Sequence, residues 1–286
     1  MNLLVTGASG FVGRHLLKYL DSKMDASCIG ICRTPSACPD AICCELTDHT
    51  QVDDMIRVTQ PSLIFHVAGS FSNDYETDTS NNILAAKNIL EATAKYKKDA
   101  RIMLMGSAAE YGDVKNQDNP VNEQQKLNPI SIYGWSKAAQ SLLAPLYLNK
   151  YGLEVMVART FNLLGENMST RLFTGRVEQQ IRDVLAGKAE RITVGGLEAK
   201  RDYIDIDSAC AMFLAIATKG LPGEIYNVGS GAAISMRQLL DIMLQTAELD
   251  MSIVDEVPDK QTLNEVSMIY ADISKVTALM NNITAE

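Results

Sequence analysis

Met1-Asn2-Leu3-Leu4-Val5-Thr6-Gly7-Ala8-Ser9-Gly10-Phe11-Val12-Gly13 is the stretch that decides the fold. Its first six residues make a short apolar run. Glycines follow at 7, 10 and 13, and a helical pattern then continues through Leu20. A Gly-x-x-Gly-x-x-Gly turn between a strand and a helix is the context that a dinucleotide fingerprint requires. Glycine there permits the tight turn, the close approach of backbone to a pyrophosphate, and tight helix–strand contact. The free N–H groups and dipole of the helix N-terminus then favour the anion. A glycine triplet alone is a weak signal, but at the end of the first strand of an alternating chain it is a strong one. Gly7, Ser9, Gly10, Phe11, Val12 and Gly13 are therefore candidate cofactor-binding residues.

Working outward, strand and helix signals alternate through the first half, the pattern of a parallel sheet with helices on both faces. Strands are expected at 27–32, 41–45, 63–67, 101–106 and 154–161. Helices are expected from Asp48 or Thr50 to Gln60, over 79–97, and from Ser131 to Lys150. After Asn162 the pattern changes to a helix over 170–187, a short strand at 191–194, an extended 201–205, a helix over 207–218, a strand at 224–228 and a helix over 235–247 with Ser235 as N-cap. The fold class expected is α/β, a Rossmann-type doubly wound parallel sheet with a smaller α/β C-terminal lobe for substrate. The expected division is 1–162 for the NADP-binding domain, rejoined by segments near 201–228, and 163–286 for most of the substrate lobe.

The 286 residues are 47% hydrophobic and 21% charged, enough for one large core with a smaller companion. A formal charge of −9 argues against nucleic acid or an anionic membrane surface as main partner. No apolar run reaches the ~20 residues of a membrane span, and no signal-peptide pattern opens the chain. Cysteines stand at 28, 32, 38, 43, 44 and 210, with spacings of neither a zinc knuckle nor a disulfide framework. Reduced cysteines in a cytosolic protein without a metal site are expected, with Cys28, Cys32 and Cys43 as small buried apolar residues.

The end of the second strand bears on which dinucleotide is bound. An acidic residue there would accept hydrogen bonds from the ribose of NAD, whereas this chain has Cys32-Arg33-Thr34. Arg33, or Arg14 just past the third glycine, could pair with the 2′-phosphate of NADP; as plain surface charges they would carry no such meaning. NADP(H) is favoured, with NAD(H) the alternative. His66, in Phe65-His66-Val67-Ala68-Gly69, lies in an apolar strand and is expected to be a packed, hydrogen-bonded histidine. Tyr133 and Lys137 are four apart on an expected helix, hence on one face. A tyrosine of pKa ~10 is a poor proton donor at neutral pH, and an ammonium beside it would lower that value, making the pair a plausible general acid/base. Tyr and Lys at this spacing also occur by chance on surface helices. Ser107, at the end of a parallel strand one crossover earlier, could bring a hydroxyl beside Tyr133.

With the Gly-rich turn, Ser107 and Tyr133-x-x-x-Lys137 in this order, the chain resembles the extended short-chain dehydrogenase/reductase family nearly end to end. Arg159-Thr160-Phe161-Asn162-Leu163-Leu164-Gly165, Val194 to Tyr203 and Pro222 to Gly231 narrow the likeness to its nucleotide-sugar enzymes, above all its reductases of GDP-linked 4-keto-6-deoxyhexoses. The resemblance implies Ser107, Tyr133 and Lys137 as the catalytic set, with Tyr133 donating a proton and NADPH a hydride to a keto group. It implies Glu45, Leu46, Val67, Ala68, Gly69 and Asn82 on the cofactor side, and Ala108, Asn162, Arg176, Arg201 and Lys260 on the substrate side, together with a homodimer. Asn162 could instead be a turn residue and Arg201 a surface ion-pair partner. Two departures stand out. Sugar-nucleotide 4,6-dehydratases carry acids just after the catalytic Ser/Thr, where this chain has Ala108 and Ala109. Related reductases often carry a late arginine, where it has Thr262 with Lys260 nearby. The alternatives are a dTDP- or CDP-sugar reductase, a 4-epimerase with tightly bound NAD, and a non-enzymatic NADP-binding regulator, a class that commonly lacks the Tyr/Lys pair.

Overall fold

A computed structural model describes residues 1–34, 41–258 and 266–281. Cys38, Lys260 and Thr262 lie outside the described residues.

The chain opens β1 (Asn2–Thr6), α1 (Phe11–Lys23), β2 (Ser27–Cys32), β3 (Ile42–Cys43), α2 (His49–Thr59) and β4 (Leu63–His66). It continues α3 (Tyr75–Asp78), a π-helical stretch (Thr79–Leu84) and α4 (Ala85–Tyr96), then β5 (Arg101–Ser107), α5 (Ile132–Ser141), α6 (Leu143–Tyr151) and β6 (Glu154–Thr160). The second half adds β7 (Asn162–Leu164), α7 (Phe173–Leu185), β8 (Ile192–Val194), β9 (Lys200–Arg201), β10 (Tyr203–Asp205), α8 (Ile206–Lys219) and β11 (Ile225–Val228). The chain closes with β12 (Ile234–Ser235), α9 (Met236–Thr246), β13 (Val254–Glu256), β14 (Met268–Ile269) and α10 (Ser274–Asn281).

Seven strands form one sheet in the order β3-β2-β1-β4-β5-β6-β11, every pairing parallel. The expected doubly wound α/β fold is what the sequence forms. The period-two rule of strands sorts its side chains. Leu3, Val5, Leu63 and Phe65 face α1 and α8 in one buried cluster; Leu4 and Ile64 face α2, α4 and α6 in another. Strand order reverses between β1 and β4, and ligands of open α/β sheets bind at that point, past the strands' carboxyl ends. A separate core of Val177, Ile181, Ile192, Val194, Leu197, Met236, Leu240 and Leu244 holds α7, α9 and the short strands between them.

Four expectations are corrected. The strand expected at 41–45 shortens to β3, because Glu45 turns back and its carboxylate accepts from the Thr47 N–H at 3.1 Å and hydroxyl at 2.9 Å. The helix expected from Ser131 to Lys150 is two, α5 and α6, meeting at Leu142. Cys43 is exposed, not buried, since β3 is the sheet's edge. The helix expected over 79–97 begins earlier, at Tyr75, where Asp74 caps the N–H of Thr77, and passes through the π stretch, a feature often found at functional sites.

Candidate active site

The Gly-rich turn lies at the switch point. Gly7 takes φ +70°, and a Cβ there would meet the Ala68 Cα at 2.9 Å; one on Gly13 would lie 2.1 Å from the Gly7 carbonyl oxygen. No side chain larger than hydrogen permits this approach. α1 starts behind Gly10 with no side-chain cap and no acid in its first turn, so its first N–H groups are left for an anion. That arrangement suits a dinucleotide pyrophosphate. Arg14 is exposed there, its Nη1 donating to the Ser9 carbonyl at 2.7 Å, and Arg33 is exposed past the end of β2. Leu46 follows Glu45 past β3, its carbonyl accepting from Asn88 Nδ2 at 3.0 Å.

Beyond β4, the Ala68 N–H donates to Thr6 Oγ1 at 3.2 Å, and Val67 and Gly69 line the same exit. His66 is buried with Nδ1 3.0 Å from Thr6 Oγ1. Burial, then the positive charge of Lys137, pushes its pKa down to about 3. It is a neutral packed histidine, as its apolar strand implied.

Ser107 closes β5. Its Oγ accepts from the Ala109 N–H at 3.2 Å and starts a one-turn 3-10 helix holding Ala108. α5 is started by Ser131, whose Oγ accepts from the Gly134 N–H at 3.0 Å. A Cβ on Gly134 would lie 2.4 Å from the Ala109 carbonyl oxygen; this glycine lets α5 lie directly on the turn after Ser107. Tyr133 thereby bonds the Ser107 side chain, and its ring stands edge-on to Phe71 at 4.8 Å. Lys137, one turn along, is buried, its Nζ donating to Gln140 Oε1 at 2.5 Å. The structure brings Ser107, Tyr133 and Lys137 together.

The electrostatics differ from the expectation that Lys137 lowers the Tyr133 pKa. Burial raises the Tyr133 phenol above its ordinary value; the Ser107 hydrogen bond opposes this, and the charges of Glu110 and Asp78 add to it. Lys137 is itself pushed down to about 8 by burial, against the pull of Glu110 and Asp78. Burial and the two acids, rather than Lys137, set the direction of the Tyr133 shift.

Asn82 lies in the π stretch and is fully buried. Its Oδ1 accepts from the Ser70 N–H at 2.9 Å, and its Nδ2 donates to the Ser70 carbonyl at 3.1 Å and to Ser136 Oγ at 2.9 Å. It thus ties the β4 exit to α5.

Two acids here escaped sequence reasoning. Asp78, fully buried, accepts from the hydroxyls of Ser70 and Ser72, both at 2.7 Å, and from the N–H groups of Ser72 and Asn73 at 3.1 and 2.9 Å. Burial raises its carboxyl, but these donors outweigh it and hold the pKa below the ordinary value. The strapped loop also delivers Asn73 Oδ1 to the Tyr133 N–H at 3.2 Å. Glu110 completes a capping box with Ser107, and that spacing was legible.

On the substrate side, Ser107 pairs with Thr160 in register, and Asn162 follows two residues on. Asn162 Nδ2 donates to the Asp202 carbonyl at 3.0 Å, which sets it beside Arg201, whose Nη1 donates to the Lys200 carbonyl at 2.9 Å. Arg176 is exposed on α7.

Residues 3–229 match the model of the NAD dependent epimerase/dehydratase family. The chain belongs to that family. It is 28% identical over 262 residues to the GDP-6-deoxy-D-mannose reductase of Pseudomonas aeruginosa, covering 89% of this chain and 83% of that one. Among solved structures of the family's fold, RMD from Pseudomonas aeruginosa complexed with NADPH superposes with a TM-score of 0.87 at 24% identity, over 98% of this chain and 92% of that one. UDP-glucose 4-epimerase with UDP-glucose from Thermotoga maritima gives a TM-score of 0.85 at 24% identity, over 97% and 92%. Members of the epimerase/dehydratase family are NAD(P)-dependent enzymes, and this chain is one. Among the described residues no helix is long and apolar enough to cross a membrane, and no group of side chains could hold a metal ion.

Proposed function

We propose that the protein is an NADPH-dependent reductase of the C4 keto group of a nucleotide-linked 4-keto-6-deoxyhexose, of the type that converts GDP-4-dehydro-6-deoxy-mannose to GDP-rhamnose. The observation that carries this is the Ser107–Tyr133–Lys137 cluster with nothing beside it to titrate at Ala108 or Ala109. Dehydration requires a second acid or base near C5 and C6. The acid closest in sequence, Glu110, is instead occupied by the Ser107 N–H and by Arg159 at 2.8 Å.

When bound, the nicotinamide supplies a hydride to the carbonyl carbon. Tyr133 supplies the proton to its oxygen, and a phenol whose pKa is raised is protonated at neutral pH, the form that direction of reaction needs. The Ser107 hydroxyl donates to the same oxygen as negative charge develops on it. Lys137 holds the nicotinamide ribose; an amine of pKa about 8 remains largely protonated at pH 7. Asn82 fixes the β4 exit along which the cofactor runs. The α1 N-terminus receives the pyrophosphate, and Arg33 and Arg14 the 2′-phosphate that selects NADPH. Asn162, Arg176, Arg201 and Ala108 face the sugar nucleotide, and Lys260 is assigned with them on sequence alone.

The reaction is placed in the cytoplasm, in deoxysugar biosynthesis. A homodimer through the helices that expose Leu84, Leu142 and Leu146 accompanies it. Tyr133→Phe removes only the transferable proton. It is expected to bind NADPH like the parent while turnover falls by about 10²–10⁴-fold; near-parental rates would show that another group is the acid.

A further inference from the structure

Glu110, in the turn after β5, and Arg159, on the neighbouring strand β6, are buried, 0% and 1% exposed. Glu110 Oε1 accepts from the Ser107 N–H at 2.8 Å. Its Oε2 accepts from Arg159 Nε at 2.9 Å and Nη2 at 2.8 Å. The guanidinium lies 4.7 Å from the centre of the Tyr111 ring, whose hydroxyl donates to Asn227 Oδ1 at 2.6 Å. Arg159 Nη1 has no hydrogen-bond partner. A Cβ on Gly106 would stand 2.6 Å from Glu110 Oε1, so glycine at that position leaves room for the carboxylate. Burying such a pair is costly: two apolar residues of similar volume would stabilise a fold at least as well. Stability alone therefore does not account for it, whereas its place behind Ser107 does.

We propose that Glu110 is a positioning residue for the reaction: held by Arg159, it fixes the backbone of Ser107 and sets one buried negative charge behind the Ser107–Tyr133 pair. The proposal rests on Tyr133 as proton donor and adds what holds that donor protonated. The charged and titratable groups facing the pair are Asp78 from α3, Tyr133 and Lys137 from α5, Arg159 from β6 and Tyr111 beside it. Of these, Glu110 and Asp78 both disfavour the Tyr133 phenolate. A tyrosine kept protonated into alkaline solution suits donation to a ketone and suits abstraction from an alcohol less well.

The test reads Tyr133 directly and needs no substrate. The full chain labelled with 13Cζ-tyrosine is titrated by NMR, the Tyr133 resonance being the one missing in Tyr133→Phe. In Glu110→Gln, which keeps the acceptor for the Ser107 N–H and removes the charge, the Tyr133 midpoint is expected to fall by about one pH unit, the scale of one charge acting through an effective dielectric near ~20. Glu110→Asp keeps the charge but is too short to span Ser107 and Arg159. It should leave the midpoint near the parental one while Ser107 loses its anchor and turnover drops. If Glu110→Gln fails to fold around an unpaired arginine, Glu110→Gln/Arg159→Met removes both charges, and its midpoint should move in the same direction by less. An unchanged Tyr133 midpoint in whichever charge-removing variant folds overturns the proposal. A shifted midpoint in a protein that reduces no keto sugar leaves the proposal standing and refutes the assigned activity instead.

Discussion

Gly134→Ala is the smallest change that separates α5 from the turn after Ser107. The new Cβ would start 2.4 Å from the Ala109 carbonyl oxygen, and real contacts do not go below 3.0 Å. The helix must therefore retreat by about 0.6 Å to be tolerated, and by about 1.0 Å to reach the ordinary 3.4 Å. Backbone stands on both sides of the contact, so no side chain can swing away to absorb it. Tyr133 moves with the helix and Ser107 stays with the sheet. Displacements of that size at reacting groups cost up to ~10²-fold, while overpacking costs ~1–3 kcal/mol of stability. The expected result is a folded variant that retains NADPH binding and loses ~10–100-fold in kcat/KM for the keto sugar, followed by NADPH absorbance. A folded variant within threefold of the parent would refute the claim that the close seat of α5 sets the Ser107–Tyr133 geometry.

Arg33→Ala should weaken NADPH by about 10–100-fold, as loss of a charged hydrogen bond does, and leave NADH nearly unchanged in a fluorescence titration; equal losses would remove Arg33 from 2′-phosphate recognition. His66 has a folded pKa of about 3, below the ordinary imidazole value of ~6.5, so between these values the unfolded chain holds a proton that the folded chain does not. Its contribution to stability is complete above pH ~6.5 and declines as the pH falls toward 3, at up to ~1.4 kcal/mol per unit. His66→Gln should flatten that decline between pH ~6.5 and ~4 in chemical denaturation, and an unchanged slope would mean that His66 is not the titrating group.

The sheet, the glycine turn and the Ser107/Tyr133/Lys137 set were legible because each is carried by local spacing: period two, period 3.6, and glycines where backbone must touch backbone. Local spacing does not report what a charge meets across the fold. The effect of Lys137 on Tyr133 was expected from the four-residue interval alone, yet burial and the acids at 78 and 110 outweigh it. Asp78 reads in sequence as one more polar residue at a helix start, and only the loop that folds back onto it shows four donors. Arg159 reads as an ordinary strand residue next to a turn. That it is fully buried against Glu110 depends on the register of β5 with β6, which pairs Gly106 with Arg159. Cys43 was misplaced for a similar reason, since an apolar run does not say whether its strand lies at the centre or the edge of the sheet.

The proposed reduction delivers one proton and one hydride to one ketone, so the stoichiometry of cofactor use tests it. With GDP-4-keto-6-deoxymannose as substrate, one NADPH should be oxidised for each deoxyhexose formed, with deuterium from labelled NADPH recovered at C4. Conversion of a nucleotide sugar to its C4 epimer without net NADPH consumption, by protein that purifies with NAD bound, would contradict it.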